Sequence, residues 1–163
     1  YIANLTDTQQ RSNLIHFCEH ETAGIDIVIN AAGCNEFAFA ELETGNIERF
    51  ININLSMPMM LIQGLLPQLK KRPKAIILNI GSTFGSIGFP GYTSYCASKF
   101  GLRGYTEALR RELSDTNISV LYFAPRATKT SINSSAVDDM NVALKNSIDT
   151  AESVAKNLNS ITK

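Results

Sequence analysis

Six residues, Ala75-Ile76-Ile77-Leu78-Asn79-Ile80, form a short Ile-rich run that stops at Gly81. Such a run reads as a strand buried on both faces, the pattern of a parallel sheet, because a strand with one wet face alternates polar and apolar residues. Two further runs read as strands, residues 25–30 (Ile25-Asp26-Ile27-Val28-Ile29-Asn30) and residues 117–124 (Asn117-Ile118-Ser119-Val120-Leu121-Tyr122-Phe123-Ala124). Helical patterns lie between them. One spans residues 9–21 behind a cap at Thr6-Asp7-Thr8. A second is a long helix from Ile47 with Phe50, Ile53, Met57, Leu61 and Leu65 on one face. The third covers residues 93–113, where Ala97, Phe100, Tyr105, Leu109 and Leu113 recur at helical spacing. Strands alternating with helices predict an α/β fold. Tyr1-Ile2-Ala3-Asn4-Leu5 reads as one more short strand, residues 38–44 as a linker, residues 67–74 as a basic, proline-bounded loop, residues 131–146 as a polar and partly helical lid, and residues 149–161 as a closing helix.

Chemistry gathers where the 75–80 strand ends. Ser82 stands at its carboxyl end, the place where open α/β sheets hold ligands. Thirteen residues on, Tyr95 begins a pair with Lys99, four apart and so on one face of a helix. A free phenol titrates near pH ~10, and a fixed ammonium favours the phenolate. Tyr95 is thus a candidate general acid or base, with Ser82 holding the oxygen that gains or loses the proton. A Tyr-x-x-x-Lys pair alone is common on wet helix surfaces; the serine at a strand end gives this one weight.

Asn54 is a polar residue on an apolar helical face, which ordinarily means a buried side chain satisfied by a neighbouring carbonyl. Pro58 has no N–H to offer the carbonyl four residues back, which belongs to Asn54, so that oxygen is left open. Gly81, Gly85 and Gly88 do not form a phosphate-holding turn, since Phe89-Pro90-Gly91 separates them from the next helix; they read as a flexible pocket wall. Phe84, Phe89 and Tyr92 are candidates to line a fairly apolar substrate site. Gly101 and Gly104, costly inside a helix, suggest close packing against another helix.

The segments Asn79-Ile80-Gly81-Ser82 and Tyr95-Cys96-Ala97-Ser98-Lys99 are similar to the paired active-site motifs of the short-chain dehydrogenase/reductase family. That resemblance implies a doubly wound parallel sheet of the Rossmann type, three-layer α/β/α, and an NADP- or NAD-dependent interconversion of a small-molecule alcohol and its carbonyl compound. It assigns Ser82, Tyr95 and Lys99 to catalysis, and Asn54 through its main-chain oxygen within Ile51-Asn52-Ile53-Asn54-Leu55. To the cofactor it assigns Asn4 and Leu5 beside adenine, and Asn30, Ala31 and Gly33 beside adenosine. Tyr95 and Lys99 reach the ribose, Pro125 and Thr128 the nicotinamide, and Thr130 the diphosphate. It also implies a homodimer or homotetramer. Three positions depart from the family pattern: Asn4 stands for Asp, Ala31 for Asn and Arg126 for Gly. Arginine disfavours a positive φ, so this turn must suit ordinary residues, and its side chain is a candidate for cofactor phosphate or an acidic substrate. The family's glycine-rich turn and second strand have no counterpart, so residues 1–163 read as a single, incomplete Rossmann-type domain. The competing interpretation is a catalytically silent binding protein that keeps the fold.

Fifteen basic and fifteen acidic residues cancel, which gives no reason to expect nucleic acid or an anionic membrane as partner. The most apolar stretch, residues 57–66, is interrupted by Pro58, Gln63 and Gly64, so no membrane span is expected, and with no signal peptide the expectation is a cytoplasmic protein. Cys18, Cys34 and Cys96 read as free thiols. His16 and His20, four apart around Cys18 and Glu19, lack an evident third ligand, and no metal is expected.

Overall fold

The computed structural model describes residues 1–42, 45–130, 133 and 135–161. Residues 43 and 44 of the expected linker, and 131, 132 and 134 of the expected lid, lie outside the described residues. Three parallel strands form the sheet: β1 (Ile27–Asn30), β2 (Ala75–Ile80) and β3 (Ile118–Phe123), in the order β1-β2-β3. The register pairs Ile27 with Ile76 and Ala75 with Ile118, which brings all three carboxyl ends to one rim. The helices are α1 (Thr8–His20), α2 (Asn46–Ile51), α3 (Met57–Leu69), α4 (Thr93–Glu112), α5 (Ser135–Ala143) and α6 (Ala151–Ile161). Beyond β3, a two-residue strand β4 (Thr128–Lys129) pairs in parallel with β5 (Asp149–Thr150), fastening the start of α6 to the loop that leaves the sheet.

Asp7 caps α1, its carboxylate accepting from the Gln10 N–H at 2.9 Å. The first strand expected from the sequence is absent: residues 1–4 pair with no strand, and the Asn4 carbonyl instead accepts from Asp7 N–H in a turn. A lone strand without a neighbour leaves its backbone to water, which offers no gain over a turn.

α2 and α3 are one helical run joined by a π-helical segment, Asn52–Ser56, in which Met57 N–H reaches five residues back to Asn52 O. Proline at 58 removes the ordinary donor, and the frame slips by one residue. The run Ile47–Leu69, 23 residues, is long and apolar enough to cross a membrane despite Pro58, Gln63 and Gly64, contrary to the sequence expectation. Here one of its faces is core: Leu61, Ile62, Leu65 and Leu69 pack with Ile77 of β2, Val120 of β3 and Leu109 of α4. Gly64 lets α1 approach, because a Cβ there would strike Ile15. The helix also runs through Pro67 to Leu69, so only residues 70–74 of the expected basic loop are loop; its Arg72 pairs with Asp26 at 2.6 Å.

β2 is buried on both faces as its composition predicts, but β1 is not: Val28 and Asn30 point inward while Ile27 and Ile29 remain 49% and 53% exposed. The close packing foreseen for Gly101 is supplied within the chain, where a Cβ would meet Leu55 of the π segment at 2.8 Å, whereas Gly104 has open space.

Candidate active site

A cleft of about 700 Å³ opens beyond the carboxyl rim of the sheet, lined by the segments that follow β1, β2 and β3. Ser82 leaves β2 extended and caps a short turn, Thr83–Gly85, its hydroxyl oxygen accepting from Phe84 N–H at 3.1 Å. Its hydroxyl lies near enough to the Tyr95 phenol to favour the charged form, so the serine side chain faces the tyrosine. Tyr95 lies in the first turn of α4 within a cage of rings, with centroids of Phe50, Phe84 and Tyr92 at 6.5, 6.4 and 5.9 Å. One helical turn on, Lys99 is buried; its Nζ donates to Ile80 O at 3.1 Å and lies 5.8 Å from the centre of the Tyr95 ring.

Burial dominates the electrostatics of this trio. The Tyr95 phenol is pushed up to about 12, because phenolate would lose its water among the rings; the Ser82 hydroxyl acts in the opposite direction. The Lys99 ammonium is pulled down to about 8 by the same loss of water, with Cys34 opposing. The sequence expectation that Lys99 makes the phenol acidic is therefore not met by the protein alone: desolvation, invisible in helix spacing, is the largest cause of the shift, and Lys99 is not among its causes.

The family model described as short chain dehydrogenase matches residues 1–141. The chain belongs to the short-chain dehydrogenase family. It is 32% identical over 126 residues to a 3-oxoacyl-(acyl-carrier-protein) reductase of Thermotoga maritima, covering 77% of this chain and 51% of that protein. It is 31% identical to the 3-ketodihydrosphingosine reductase of Bos taurus, with coverage of 76% and 38%. The chain thus spans about half the length or less of these curated relatives. A short-chain dehydrogenase structure from Streptomyces avermitilis matches with a TM-score of 0.76 at 26% identity, over 81% of this chain and 49% of that one.

Of the residues this chain's sequence singles out, the cleft lining gathers Ser82, Tyr95 and Lys99 with Phe84, Phe89 and Tyr92. Ala31 and Gly33 reach it from β1, and Pro125, Arg126, Thr128 and Thr130 from β3. Four others stand outside the lining. Asn4 spends its side-chain oxygen on Thr6, and Leu5 packs on the hydrophobic core. Asn30 turns into the sheet, where its amide donates to Asn79 Oδ1 at 2.7 Å and Asn79 donates to Thr106 Oγ1 at 2.9 Å. Asn54, 1% exposed, accepts from Cys34 N–H at 2.9 Å and donates to Cys34 O at 2.9 Å and to Ser98 Oγ at 3.1 Å. Ser98 in turn donates to Tyr95 O at 2.7 Å, so this side chain joins the β1 loop to the helix that carries the tyrosine.

Arg126 has an ordinary backbone conformation, as its side chain requires, and forms a two-pronged ion pair with Asp149 at 2.8 and 3.2 Å. Gly81 and Gly85 are not flexible wall: a Cβ at either would land on the Tyr122 side chain, so their role is close approach, while Gly88 has open space. His16 and His20 lie against each other, ring centroids 4.4 Å apart, away from the cleft lining. The three thiols are free. Sequence reasoning missed Asn35, Val137 and Met140, all in the cleft lining. Val137 and Met140, three apart in a polar segment, were the available signal for the last two.

Proposed function

We propose that this chain is the catalytic part of an NADP- or NAD-dependent oxidoreductase that interconverts an alcohol and its ketone or aldehyde. The observation that carries the reading is the meeting of Ser82, Tyr95 and Lys99 in one cleft at the rim of a parallel sheet. Relatives named as reductases of 3-oxo and 3-keto compounds support the same chemistry.

The residues fit the nicotinamide end of such a cofactor. Gly33 keeps the approach clear, since a Cβ there would come within 3.3 Å of Asn54 Oδ1 and 3.8 Å of Lys99 Nζ. An ammonium has three donors, of which Lys99 uses one on Ile80 O, so it can hold ribose hydroxyls as well. Pro125 and Thr128 would hold the carboxamide, and Thr130 the diphosphate side. The cofactor supplies the hydride. With its pKa near 12, Tyr95 keeps its proton at neutral pH and is loaded to deliver it to the substrate oxygen in the reductive direction. Ser82 orients that oxygen. Pro58 leaves the Asn54 carbonyl without a donor four residues on, which suits the water link to Lys99 in a Ser-Tyr-Lys-Asn relay. A second copy packed along α4 would cover Phe100, 44% exposed, and the open strip at Gly104, in keeping with a homodimer or homotetramer.

The test is a fluorescence titration of the full chain with NADPH and NADH. A saturable signal is expected, weakened about tenfold or more in Lys99→Ala, the loss of a charge-assisted hydrogen bond. Silence from the folded full chain overturns the redox reading and leaves a binding scaffold.

A pH dependence follows from Lys99. Its folded-state value, about 8, lies below the ordinary 10.5, so the ammonium is kept below pH 8 and lost above it. The folded chain then binds fewer protons than the unfolded one between 8 and 10.5, and this group's contribution to stability rises with pH across that window. Activity has the opposite sense: carbonyl reduction is expected to fall above pH 8, where the cation beside Tyr95 is lost. Lys99→Arg, slower but always charged, is expected to lose that limb from its kcat profile. A limb that stays in place assigns it to another group.

A further inference from the structure

Beside the triad, the cleft is walled by rings. Phe84 and Phe89 stack with centroids 5.2 Å apart and planes 15° from parallel, and Tyr92 closes on Phe84 at 5.0 Å. Val137 and Met140 of α5 pack against the same cluster. Among the described lining residues only Lys99 and Arg126 carry a charge. Lys99 is buried, with one donor on Ile80 O and the others assigned above to the ribose, and the charge of the Arg126 guanidinium is already met by its two-pronged ion pair with Asp149.

From these features, and resting on the redox reading above, we propose that the substrate is an uncharged carbonyl compound, or its alcohol, with a flat apolar body that lies against the Phe84–Phe89–Tyr92 wall. Stacked rings favour a flat partner. A carboxylate in that space would give up its water with both lining cations already committed, Lys99 to the ribose and Arg126 to Asp149, a cost that apolar contact does not offset. Anionic oxo acids and sugar acids are thereby disfavoured, whatever their carbonyl chemistry.

The test is isothermal titration of the full chain, with and without saturating NADPH, using β-tetralone and a ring-carboxylated β-tetralone as probes. The neutral ketone is expected to bind about tenfold tighter or more. Phe89→Ala is expected to weaken it about fivefold, and Met140→Lys, which puts a cation on the α5 wall, to bring the carboxylated probe to within about threefold of the neutral one. Equal or tighter binding of the carboxylate by the unaltered chain overturns the proposal, and so does failure of both probes to bind. Selective binding without NADPH oxidation removes the redox reading alone and leaves the ligand class standing.

Discussion

Tyr95→Phe is expected to lower kcat for carbonyl reduction by about 10²- to 10⁴-fold, the range general acid catalysis supplies, with NADPH affinity nearly unchanged. The substitution removes one oxygen and nothing else. The contacts of the ring with Phe50, Phe84 and Tyr92 persist, so α4 keeps its seat and Lys99 stays at the same place one turn on. What is lost is the proton donor that burial holds in its neutral form up to a pH of about 12. The Ser82 hydroxyl, already turned toward that oxygen, remains to orient the substrate carbonyl, which is why the remaining rate should exceed that of the free cofactor. Single-turnover rates measure the step itself, and the NADPH fluorescence titration supplies the control. Full turnover in this variant would mean that another group carries the proton and that the phenol is only part of the aromatic wall.

The same site shows what a one-dimensional reading can and cannot contain. The β2 run and the Tyr95–Lys99 spacing are local: each follows from a few neighbouring residues and the period of one element, and each is found where the sequence places it. The acidity of Tyr95 is not local. It depends on burial among rings contributed by residues 50, 84 and 92, and in the folded chain desolvation is the largest cause of the shift. Gly81 and Gly85 illustrate the same limit. A glycine in a loop looks like freedom until the residue beside it is known, and Tyr122, some forty positions away, fills that space. The composition of residues 25–30 predicts a buried strand, yet burial also requires something to lie on each face, and Ile27 and Ile29 of β1 remain half exposed. Asn30 shows a role that the family pattern and the fold divide between them: its side chain ties strand to strand.

Asn54→Ala is expected to destabilise the full chain by about 3–5 kcal/mol, a large share of the roughly 5–15 kcal/mol that holds a domain together. The side chain is almost wholly buried and makes three hydrogen bonds, one to Cys34 N–H, one to Cys34 O and one to Ser98 Oγ. Alanine leaves both backbone groups of Cys34 without their partner in a place water does not enter freely, at about 1–3 kcal/mol for each group, and adds a small void. The π segment that presents Asn54 is itself anchored through this side chain to the β1 loop and, by way of Ser98, to the carbonyl of Tyr95. Asn54→Asp separates shape from donor capacity: it keeps the volume and an acceptor for Cys34 N–H, but it cannot donate to Cys34 O or Ser98, and it brings in a charge. It is therefore expected to be destabilising as well. Urea midpoints at constant m value measure both effects. The relay role proposed for Asn54 belongs to its main-chain oxygen, which neither substitution removes, so a loss of activity that tracks the loss of stability assigns the side chain to architecture. An alanine variant as stable as the unaltered chain would instead show that the link from Cys34 to Ser98 does not hold the catalytic helix, and that Tyr95 is positioned by its aromatic cage alone.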